Sequence, residues 1–254
     1  DARELSGFVA RQSASMTKAV AGYDLTFTPV KSVSVVWALA PRALARQIEQ
    51  AHRRAVEVAI EFLEEHAAFT RMGSRAVAQV DTTGLIVAAF DHRDSRAGDP
   101  NLHTHITVSN KVCAIGPDGI ARWLALDGTP LHQSTVAASE VYNTALEGLL
   151  TELGFRFVGT GRGPGKRCVR EIDGVSAEVN RRFSARRSAI ETRVGELAKA
   201  FQNQHGREPT VTEFIALSQQ ATLETRAAKH EPRSLGEQRQ TWRTQAAELL
   251  GGVR

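Results

Sequence analysis

Three of the eight histidines lie close together, first His92 and then the pair His103 and His105. Successive side chains of a β-strand point to opposite faces, so residues two apart lie side by side on one face. An apolar, strand-like segment ends at His92, and residues 93–101 are rich in Ser, Gly, Asp, Pro and Asn, which is typical of a loop. The pattern predicts a hairpin that brings all three imidazoles onto one face of a sheet.

Three imidazoles on one sheet face can bind a divalent metal ion and leave other coordination positions open, as catalytic sites do and closed structural sites do not. The sequence therefore predicts that His92, His103 and His105 are metal ligands. One ion is expected, and Mg, Mn and Zn are the candidates because imidazole nitrogen accepts several metals. The remaining histidines lack this context and are predicted to lie at the surface: His52, His66, His132, His205 and His230.

Hydropathy patterns predict a β-rich first part of the chain and an all-helical last part. Strands are predicted at residues 22–27, 76–80, 84–92, 102–114, 120–124, 155–158 and 167–172. Helices are predicted at residues 31–39, 41–66, 129–153, 176–205, 209–224 and 234–250, after a helical or irregular lead-in over residues 4–18. We expect residues 1–172 to form the core and residues 173–254 to form a helical part of the same domain.

The net charge of the chain is +4, and its basic residues are unevenly placed. Residues 162–199 contain ten Lys and Arg side chains against five acidic ones. A local positive excess favours partners that carry phosphate, including nucleic acids. A solvated helix face explains the charge equally well, so charge alone does not decide between the two.

Composition favours a cytoplasmic protein over a membrane or secreted one. No apolar run approaches the roughly 18 residues of a membrane span, and no signal peptide opens the sequence. Cys113 and Cys168 are isolated cysteines without metal-ligand spacing, which suits a reducing compartment. We therefore expect a cytoplasmic location and no membrane partner.

Two longer segments carry a family resemblance. Residues 22–34 have the sequence GYDLTFTPVKSVS, and residues 90–105 have the sequence FDHRDSRAGDPNLHTH. Both resemble the relaxase domain of the MobF (TrwC/TraI-like) group of conjugative relaxases, which are HUH endonucleases. The spacing of the histidines inside the SRxxDPxLHTH motif is the most specific part of this resemblance. Further matches extend it over most of the chain, at Asn110, Asp118, Gly119, Trp123, residues 141–143, Thr225, Arg226 and Trp242.

The resemblance implies a bacterial enzyme that nicks one DNA strand at an origin of transfer and later rejoins it. A tyrosine attacks the scissile phosphate, giving a 5′-phosphotyrosyl link and a free 3′-hydroxyl, and the enzyme travels to the recipient cell with the DNA. By the same resemblance, His92, His103 and His105 hold the divalent ion. Asp24 falls at the acidic position of the family, where it is expected to orient a metal-bound histidine or to help activate the tyrosine.

The nucleophile is the point at which this sequence departs from the family pattern. The family's catalytic tyrosines lie near the N-terminus, upstream of the DLTF strand, whereas this chain has Tyr23 and Tyr142. Tyr23 adjoins Asp24 and so points to the opposite face of the predicted strand, and Tyr142 lies within a predicted helix. We expect that neither is the nucleophile. On this interpretation the sequence, which opens at Asp1, lacks the tyrosine segment and binds metal and DNA without completing strand transfer.

Several side chains are predicted to contact DNA because they lie in the basic region, in the family motifs or at a helix start. They are Lys31, Ser32, Arg96, Asn143, Arg181, Arg182 and Arg186. A plain helix start is an equally good interpretation of Lys31 and Ser32, and Arg96 either contacts DNA or braces its loop through Asp94 or Asp99. Tryptophans stack on bases or, more commonly, pack in a core, and the chain contains Trp37, Trp123 and Trp242.

The fold that the resemblance implies is an α+β palm. A central antiparallel sheet carries the metal on one face, helices pack on the other, and helical fingers from the C-terminal part close over single-stranded DNA. The implied partners are single-stranded or hairpin origin-of-transfer DNA, a conjugation coupling protein and accessory relaxosome proteins, and the chain itself is expected to be a monomer.

Three other functions remain open on the sequence. A rolling-circle replication initiator shares the paired histidines, although the longer motifs argue against it. A single-stranded DNA-binding module could carry the cluster as a structural or vestigial feature, and origin nicking would distinguish it from an enzyme. A hydrolase with three histidine ligands that does not act on DNA is the third, and it would lack salt-sensitive binding to single strands.

Overall fold

The computed structural model of the protein describes residues 20–161, 168–228, 231 and 233–251. The strands are β1 (Gly22–Phe27), β2 (Phe69–Met72), β3 (Ala78–Asp81), β4 (Val87–Asp94), β5 (Pro100–Ser109), β6 (Val112–Ile115), β7 (Ala121–Leu124), β8 (Phe157–Thr160) and β9 (Val169–Ile172). The helices are α1 (Lys31–Leu39), α2 (Arg42–Ala67), α3 (Gly128–Gln133), α4 (Thr135–Glu152), α5 (Ala177–Arg182), α6 (Ala185–His205), α7 (Val211–Glu224) and α8 (Leu235–Gly251), with a 3-10 turn at Ser74–Ala76. The predicted lead-in over residues 4–18, and His230, lie outside the described residues.

The central sheet is antiparallel, with strand order β1-β5-β4. Along β5, Leu102, Ile106 and Val108 are buried, whereas His103 and His105, which alternate with the buried positions, are only half buried. This period of two is the expected consequence of strand geometry. One face of the sheet therefore packs on the core and the other carries the histidines, which confirms the predicted α+β arrangement.

Helices α1 and α2 supply a large part of the core on the buried side of the sheet. In α1, Val33 and Trp37 have no exposed surface, and the helix packs against β5. In α2, Ile48, Ala55 and Ala59 are buried at helical spacing, and the helix packs against α4. The short strands pair as hairpins outside this layer, β2 with β3, β6 with β7 and β8 with β9.

The last helix, α8, and the segment that follows α5 share this core rather than forming a second one. Trp242 of α8 is fully buried and packs against Trp37 of α1, with ring centroids 5.6 Å apart. Phe183, which follows α5, is also fully buried in the same cluster. Residues on both sides of the predicted boundary at residue 172 therefore stabilise one hydrophobic core.

Helices α6 and α7 pack against each other and contribute little to that core. Every residue of α6 is described and none of them is buried, and the only buried residue of α7 is Ala221. We call this pair the helical arm. Among the described residues, no helix is long and apolar enough to cross a membrane.

The prediction of one strand over residues 102–114 is wrong, because the chain leaves the central sheet after Ser109. The backbone N–H of Asn110 donates to the carbonyl of Ala21, and its side-chain amide donates to the carbonyl of Val20. These bonds hold the turn, and β6 then pairs with β7 in a separate hairpin.

Two predicted helices are each divided in two. The helix predicted over residues 129–153 breaks at Ser134. Beside this break, the side-chain hydroxyl of Thr135 donates to the backbone carbonyl of His132. The helix over residues 176–205 breaks at Phe183 and Ser184, because Phe183 enters the core and Ser184 adopts non-helical angles. The strand β2 was not predicted, and β3 begins two residues later than expected.

Candidate metal and nucleic-acid site

The three predicted metal ligands lie together on the exposed face of the central sheet. His92 in β4 is directly opposite His103 in β5, and Phe90 is directly opposite His105. The ring centroids of the three histidines are 5.1, 5.1 and 5.3 Å apart. Imidazoles that share one ion through metal–nitrogen bonds of about 2.1 Å have centroids roughly 5 Å apart, so the rings have the spacing of a shared site.

Hydrogen bonds to Nδ1 orient two of the three rings. The Nδ1 of His103 lies 2.7 Å from the carbonyl oxygen of Asn101, and the Nδ1 of His105 lies 2.9 Å from both carboxylate oxygens of Asp24. Both acceptors require a proton on Nδ1, so each ring keeps its lone pair on Nε2. This is the tautomer that a metal ligand needs when its second nitrogen is held by an oxygen acceptor.

The surroundings of His103 favour its neutral, metal-binding form. Burial lowers the pKa of His103 below the usual value, the hydrogen bond to Asn101 opposes this change, and the imidazoles of His92 and His105 lower the pKa further. A metal displaces a proton from a charged imidazole, so a lowered pKa favours the ligand at neutral pH.

Asp24 occupies the position that the sequence predicted for the acidic residue. It lies on β1 opposite Thr107, two residues along the strand from Thr26, which is the direct partner of His105. Its carboxylate is 57% exposed, while the His105 side chain is 31% exposed. A carboxylate behind an imidazole fixes the ring and raises its basicity, so this contact suits the orienting role.

The three imidazole rings are adjacent but do not enclose a metal site. Among the described residues, no group of three or more His, Cys, Asp or Glu side chains is placed so that it could hold a metal ion as it stands. The ring spacing and the tautomers of His103 and His105 fit a divalent ion on this face.

An exposed aromatic ring lies beside the site and was not anticipated from the sequence. Phe90 is 55% exposed and faces the same side of the sheet as His105, its cross-strand partner. Large apolar side chains on a polar face are available to stack on bases. The strand pattern contained this signal, because Phe90 and His92 are two residues apart.

The prediction that Ser32 contacts DNA is wrong. Ser32 has no exposed surface, and its hydroxyl accepts from the backbone N–H of Ile172. Its own N–H donates to the carboxylate of Glu171, so the start of α1 is already occupied by an internal anion. A direct contact between Ser32 and DNA is excluded by this burial.

Lys31 is also bound internally but remains partly accessible. Its ammonium donates to the carbonyl of Pro100 over 2.8 Å. Burial lowers the pKa of Lys31, while Asp99 and Glu171 oppose that change. Lys31 therefore braces the start of β5 and still contributes charge to the adjoining cleft.

A cleft of about 650 Å³ brings together several of the predicted DNA contacts. Lys31, Asn143 and Arg186 all line it. Asn101, which bonds to His103, lines it too, so the cleft adjoins the histidines. The structure thus unites residues from three separate stretches of sequence.

The other predicted DNA contacts lie apart from this cleft. Arg181 and Arg182 are exposed on α5. Arg96 donates to the carbonyl of Ala227 over 3.2 Å, so it braces its loop, although against a different partner from the predicted Asp94 or Asp99.

Neither tyrosine is placed as a nucleophile. Tyr142 is 2% exposed on the core side of the sheet, and burial raises its pKa well above the usual value, so its phenol does not ionise there. Tyr23 is on the face of β1 opposite Asp24, with its ring against His132. This agrees with the expectation from the sequence.

The prediction that His52 lies at the surface is wrong. It is 1% exposed, with Nδ1 2.8 Å from the hydroxyl of Tyr142 and Nε2 2.8 Å from the hydroxyl of Thr104. Burial lowers the pKa of His52 to about 4. His52 lies on the apolar face of α2 and is buried because α4 packs against that face. The local sequence around His52 does not show this packing.

Two of the three tryptophans are core residues and one is not. Trp37 and Trp242 are fully buried, whereas Trp123 is 62% exposed on β7. His66, His132 and His205 are exposed as predicted.

A scan against protein-family models matches residues 3–249 to the TrwC relaxase family. A multifunctional conjugation protein TraI from Escherichia coli is 29% identical over 218 residues, which cover 82% of this chain and 11% of that protein. The chain therefore spans about a tenth of the length of this curated relative.

Solved structures of similar proteins agree with the fold. A metal-bound complex of the conjugative relaxase TrwC with oriT DNA has a TM-score of 0.72 at 28% identity, over 93% of this chain and 75% of that one. A complex of TrwC with a 27-mer DNA comprising the recognition hairpin and the cleavage site has a TM-score of 0.72 at 26% identity, over 98% of this chain and 85% of that one.

Proposed function

Because the chain belongs to the TrwC relaxase family, we propose that it is the strand-nicking part of a conjugative DNA relaxase that acts at an origin of transfer. The observation that carries the proposal is the group of three imidazoles on one sheet face, with Asp24 behind His105. The similarity to TrwC bound to oriT DNA supports this substrate.

In the proposed reaction a tyrosine hydroxyl attacks the scissile phosphate of one strand. A bond forms between the phenolic oxygen and phosphorus, the bond from phosphorus to the 3′-oxygen breaks, and a 5′-phosphotyrosyl link and a 3′-hydroxyl result. The reverse reaction rejoins the strand. Since Tyr23 and Tyr142 are not placed for attack, the nucleophile is a tyrosine other than these two.

His92, His103 and His105 would hold one divalent ion through Nε2. When bound, the ion would polarise the phosphate and offset the negative charge that develops on it in the transition state. Asp24 keeps the Nδ1 proton of His105 in place, and the carbonyl of Asn101 does the same for His103. The donor set accepts Mg, Mn or Zn, and availability decides among them.

We propose that the single strand lies along the cleft beside the histidines. Lys31, Asn143 and Arg186 line the cleft, and Phe90 offers an exposed ring near His105 for a base. Arg181 and Arg182 add exposed positive charge on α5, outside the cleft, and the helical arm closes over the strand. Phosphate contacts of this kind bind DNA tightly but depend on salt.

The remaining parts of the proposal concern context. Residues 1–172 are the palm and residues 173–254 its DNA-clamping part, with the protein acting as a monomer on single-stranded or hairpin origin DNA. A conjugation coupling protein and accessory relaxosome proteins are its further partners. The protein acts in the bacterial cytoplasm and reaches the recipient cell with the DNA.

A nicking assay tests the proposal. A full-length protein that contains this sequence is incubated with a labelled single strand carrying its origin of transfer, with and without a divalent metal. We expect strand cleavage that requires metal, and His103→Ala should reduce it by about 10³-fold or more, because the loss of one ligand removes the transition-state stabilisation.

His132→Ala is the control, since His132 is an exposed histidine outside the site. It should cleave at the wild-type rate. Cleavage by His103→Ala at the wild-type rate would contradict the catalytic role of the metal site, and strand binding without any cleavage would identify a non-catalytic binding module.

A further inference from the structure

The loop between β4 and β5 is held by the C-terminal helices. The indole N–H of Trp242 donates to the carbonyl of Gly98 over 2.8 Å. The side chains of Gln238 and Arg233 donate to the carboxylate of Asp94 over 2.9 and 3.3 Å. The loop that joins His92 to His103 is therefore fixed by residues more than a hundred positions away.

Asp99 makes the connection between this loop and the helical arm. It is 6% exposed, and its Oδ2 accepts from the backbone N–H of Ala185, the first residue of α6, over 2.7 Å. Ser184, the residue at the N-cap position of α6, makes no side-chain capping bond. We call residues 95–99, which connect β4 to β5, the ligand loop. Asp99 of this loop caps α6 in place of a local cap.

Each side of this contact leads to one part of the proposed site. Towards the sheet, Asp99 precedes Pro100, which binds Lys31, and Asn101, which orients His103. Towards the arm, Ala185 is followed by Arg186, which lines the cleft. One buried carboxylate therefore joins the backbone that positions the metal ligands to the helix that borders the DNA.

We propose that Asp99 is a positioning residue that couples divalent-metal binding at the histidines to single-stranded DNA binding beneath the helical arm. This inference rests on the proposed function. DNA that holds the first turn of α6 in place also holds Asp99 and the ligand loop. A metal that fixes His92 and His103 orders the same loop and, through Asp99, the start of the arm.

Coupling of this kind is reciprocal. If DNA raises the affinity for metal by some factor, metal raises the affinity for DNA by the same factor. A cap that only stabilised α6 would change the stability of the arm, but it would not make the two affinities depend on each other. The coupling factor is therefore the quantity that separates positioning from simple support.

The test measures the Kd of Mn²⁺ for the full chain by calorimetry, with and without a saturating origin-of-transfer single strand. In the wild-type protein we expect DNA to tighten Mn²⁺ binding by about five-fold or more, within the usual range for linked sites. Asp99→Ala should bring this factor close to one and should also weaken Mn²⁺ binding without DNA. Asp99→Asn, which keeps an acceptor oxygen, should retain part of the coupling.

Two further variants separate coupling from loss of a helix cap. Thr210→Ala removes the capping box of α7 at the other end of the arm, where Thr210 and Glu213 bond to each other, and it should leave the factor at the wild-type value. Adding Ser184→Asp to Asp99→Ala gives α6 a local cap, so the protein should regain stability but not coupling. The double variant also keeps the test valid if Asp99→Ala alone does not fold.

A wild-type coupling factor of one, with both Mn²⁺ and DNA bound, would overturn the inference and leave the proposed function intact. The same coupling in the double variant as in the wild type would overturn it as well. Failure of the wild-type chain to bind either ligand would instead overturn the proposed function, and the inference with it.

Discussion

At the scale of single residues, Asp24 has the most specific role. Its carboxylate contacts the Nδ1 of His105 through both oxygens, and it reaches that ring from a neighbouring strand. Residues behind a metal-bound imidazole usually change affinity rather than remove the site. The contact therefore has a graded effect that binding experiments can detect.

We expect Asp24→Ala to weaken Mn²⁺ binding by about 10- to 100-fold, because His105 loses the acceptor that fixes its tautomer. The Mn²⁺ affinity of Asp24→Asn should lie between that of Asp24→Ala and that of the wild type, since the amide oxygen still accepts a hydrogen bond from Nδ1 of His105. Calorimetric titration of the full chain provides the measurement, with Asp118→Ala, at an exposed turn, as the control. Unchanged affinity combined with slower nicking would assign Asp24 to tyrosine activation instead.

His52 belongs to a buried chain of hydrogen bonds on the opposite face of the sheet. Thr104 donates its hydroxyl proton to Asp91 over 2.7 Å, so it must accept from the Nε2 proton of His52. Nδ1 of His52 then accepts from Tyr142. The chain ends at Asp91, which Arg53 neutralises. These bonds require a neutral His52.

This requirement predicts a pH dependence. The pKa of His52 is about 4 in the folded protein and near the ordinary 6.5 in the unfolded chain. Between these values the unfolded state binds more protons, so the free energy of unfolding falls as pH falls, by about 3 kcal/mol in total. Urea titrations from pH 7 to pH 4 should show this loss, and a His52→Gln variant should show a smaller one. An equal loss in both proteins would contradict the assignment.

The histidine triad could be predicted from sequence because its signals are local, whereas the role of Asp24 was predicted from the family resemblance of residues 22–34. Strand periodicity places His103 and His105 on one face, and the motif context supplies His92. His52 could not be assigned this way, since only the packing of α2 against α4 buries it beside Tyr142.

At the scale of elements, close packing of β1 on β5 sets the position of Asp24. Gly22 lies at the start of β1, where a Cβ would overlap with the backbone carbonyl oxygen of Val108. The backbone cannot move away from such a contact without shifting the strand. The approach of the two strands therefore depends on glycine at this position.

Gly22→Ala should destabilise the protein by about 1–3 kcal/mol through overpacking and should weaken Mn²⁺ binding, because β1 carries Asp24. Gly148→Ala is the matched control. A Cβ at Gly148, on α4, meets nothing within 4 Å, so alanine should stabilise the helix by about 0.5–1 kcal/mol. Thermal unfolding and Mn²⁺ titration of both variants test this prediction. Equal changes in stability and in Mn²⁺ affinity for Gly22→Ala and Gly148→Ala would contradict the packing argument.

Element boundaries show where sequence patterns are insufficient. The start of α1 and the span of β1 were predicted correctly because both have local signals. Pro29 lies just before α1, and β1 shows the alternation of a strand. The break before α6 was missed because its cap, Asp99, lies 86 residues away. Long-range caps of this kind leave no mark in the hydropathy pattern.

At the scale of the whole molecule, one core serves both the sheet and the C-terminal helices. Trp242 packs against Trp37 and at the same time bonds to the ligand loop, so the last helix of the described chain supports the metal face directly. The opposite face of the sheet stays open beside a cleft lined by both basic and acidic side chains, among them Lys31, Arg186, Asp99 and Glu171. This division leaves the histidine-bearing face accessible to the DNA strand of the proposed reaction.

The most direct test of this account is the anomalous difference density of crystals of the chain grown with Mn²⁺ and an origin-of-transfer single strand. We predict one dominant peak within coordination distance of the Nε2 atoms of His92, His103 and His105, with the DNA phosphate on its open side. A dominant peak elsewhere, or none at these histidines at saturating Mn²⁺, would contradict the account.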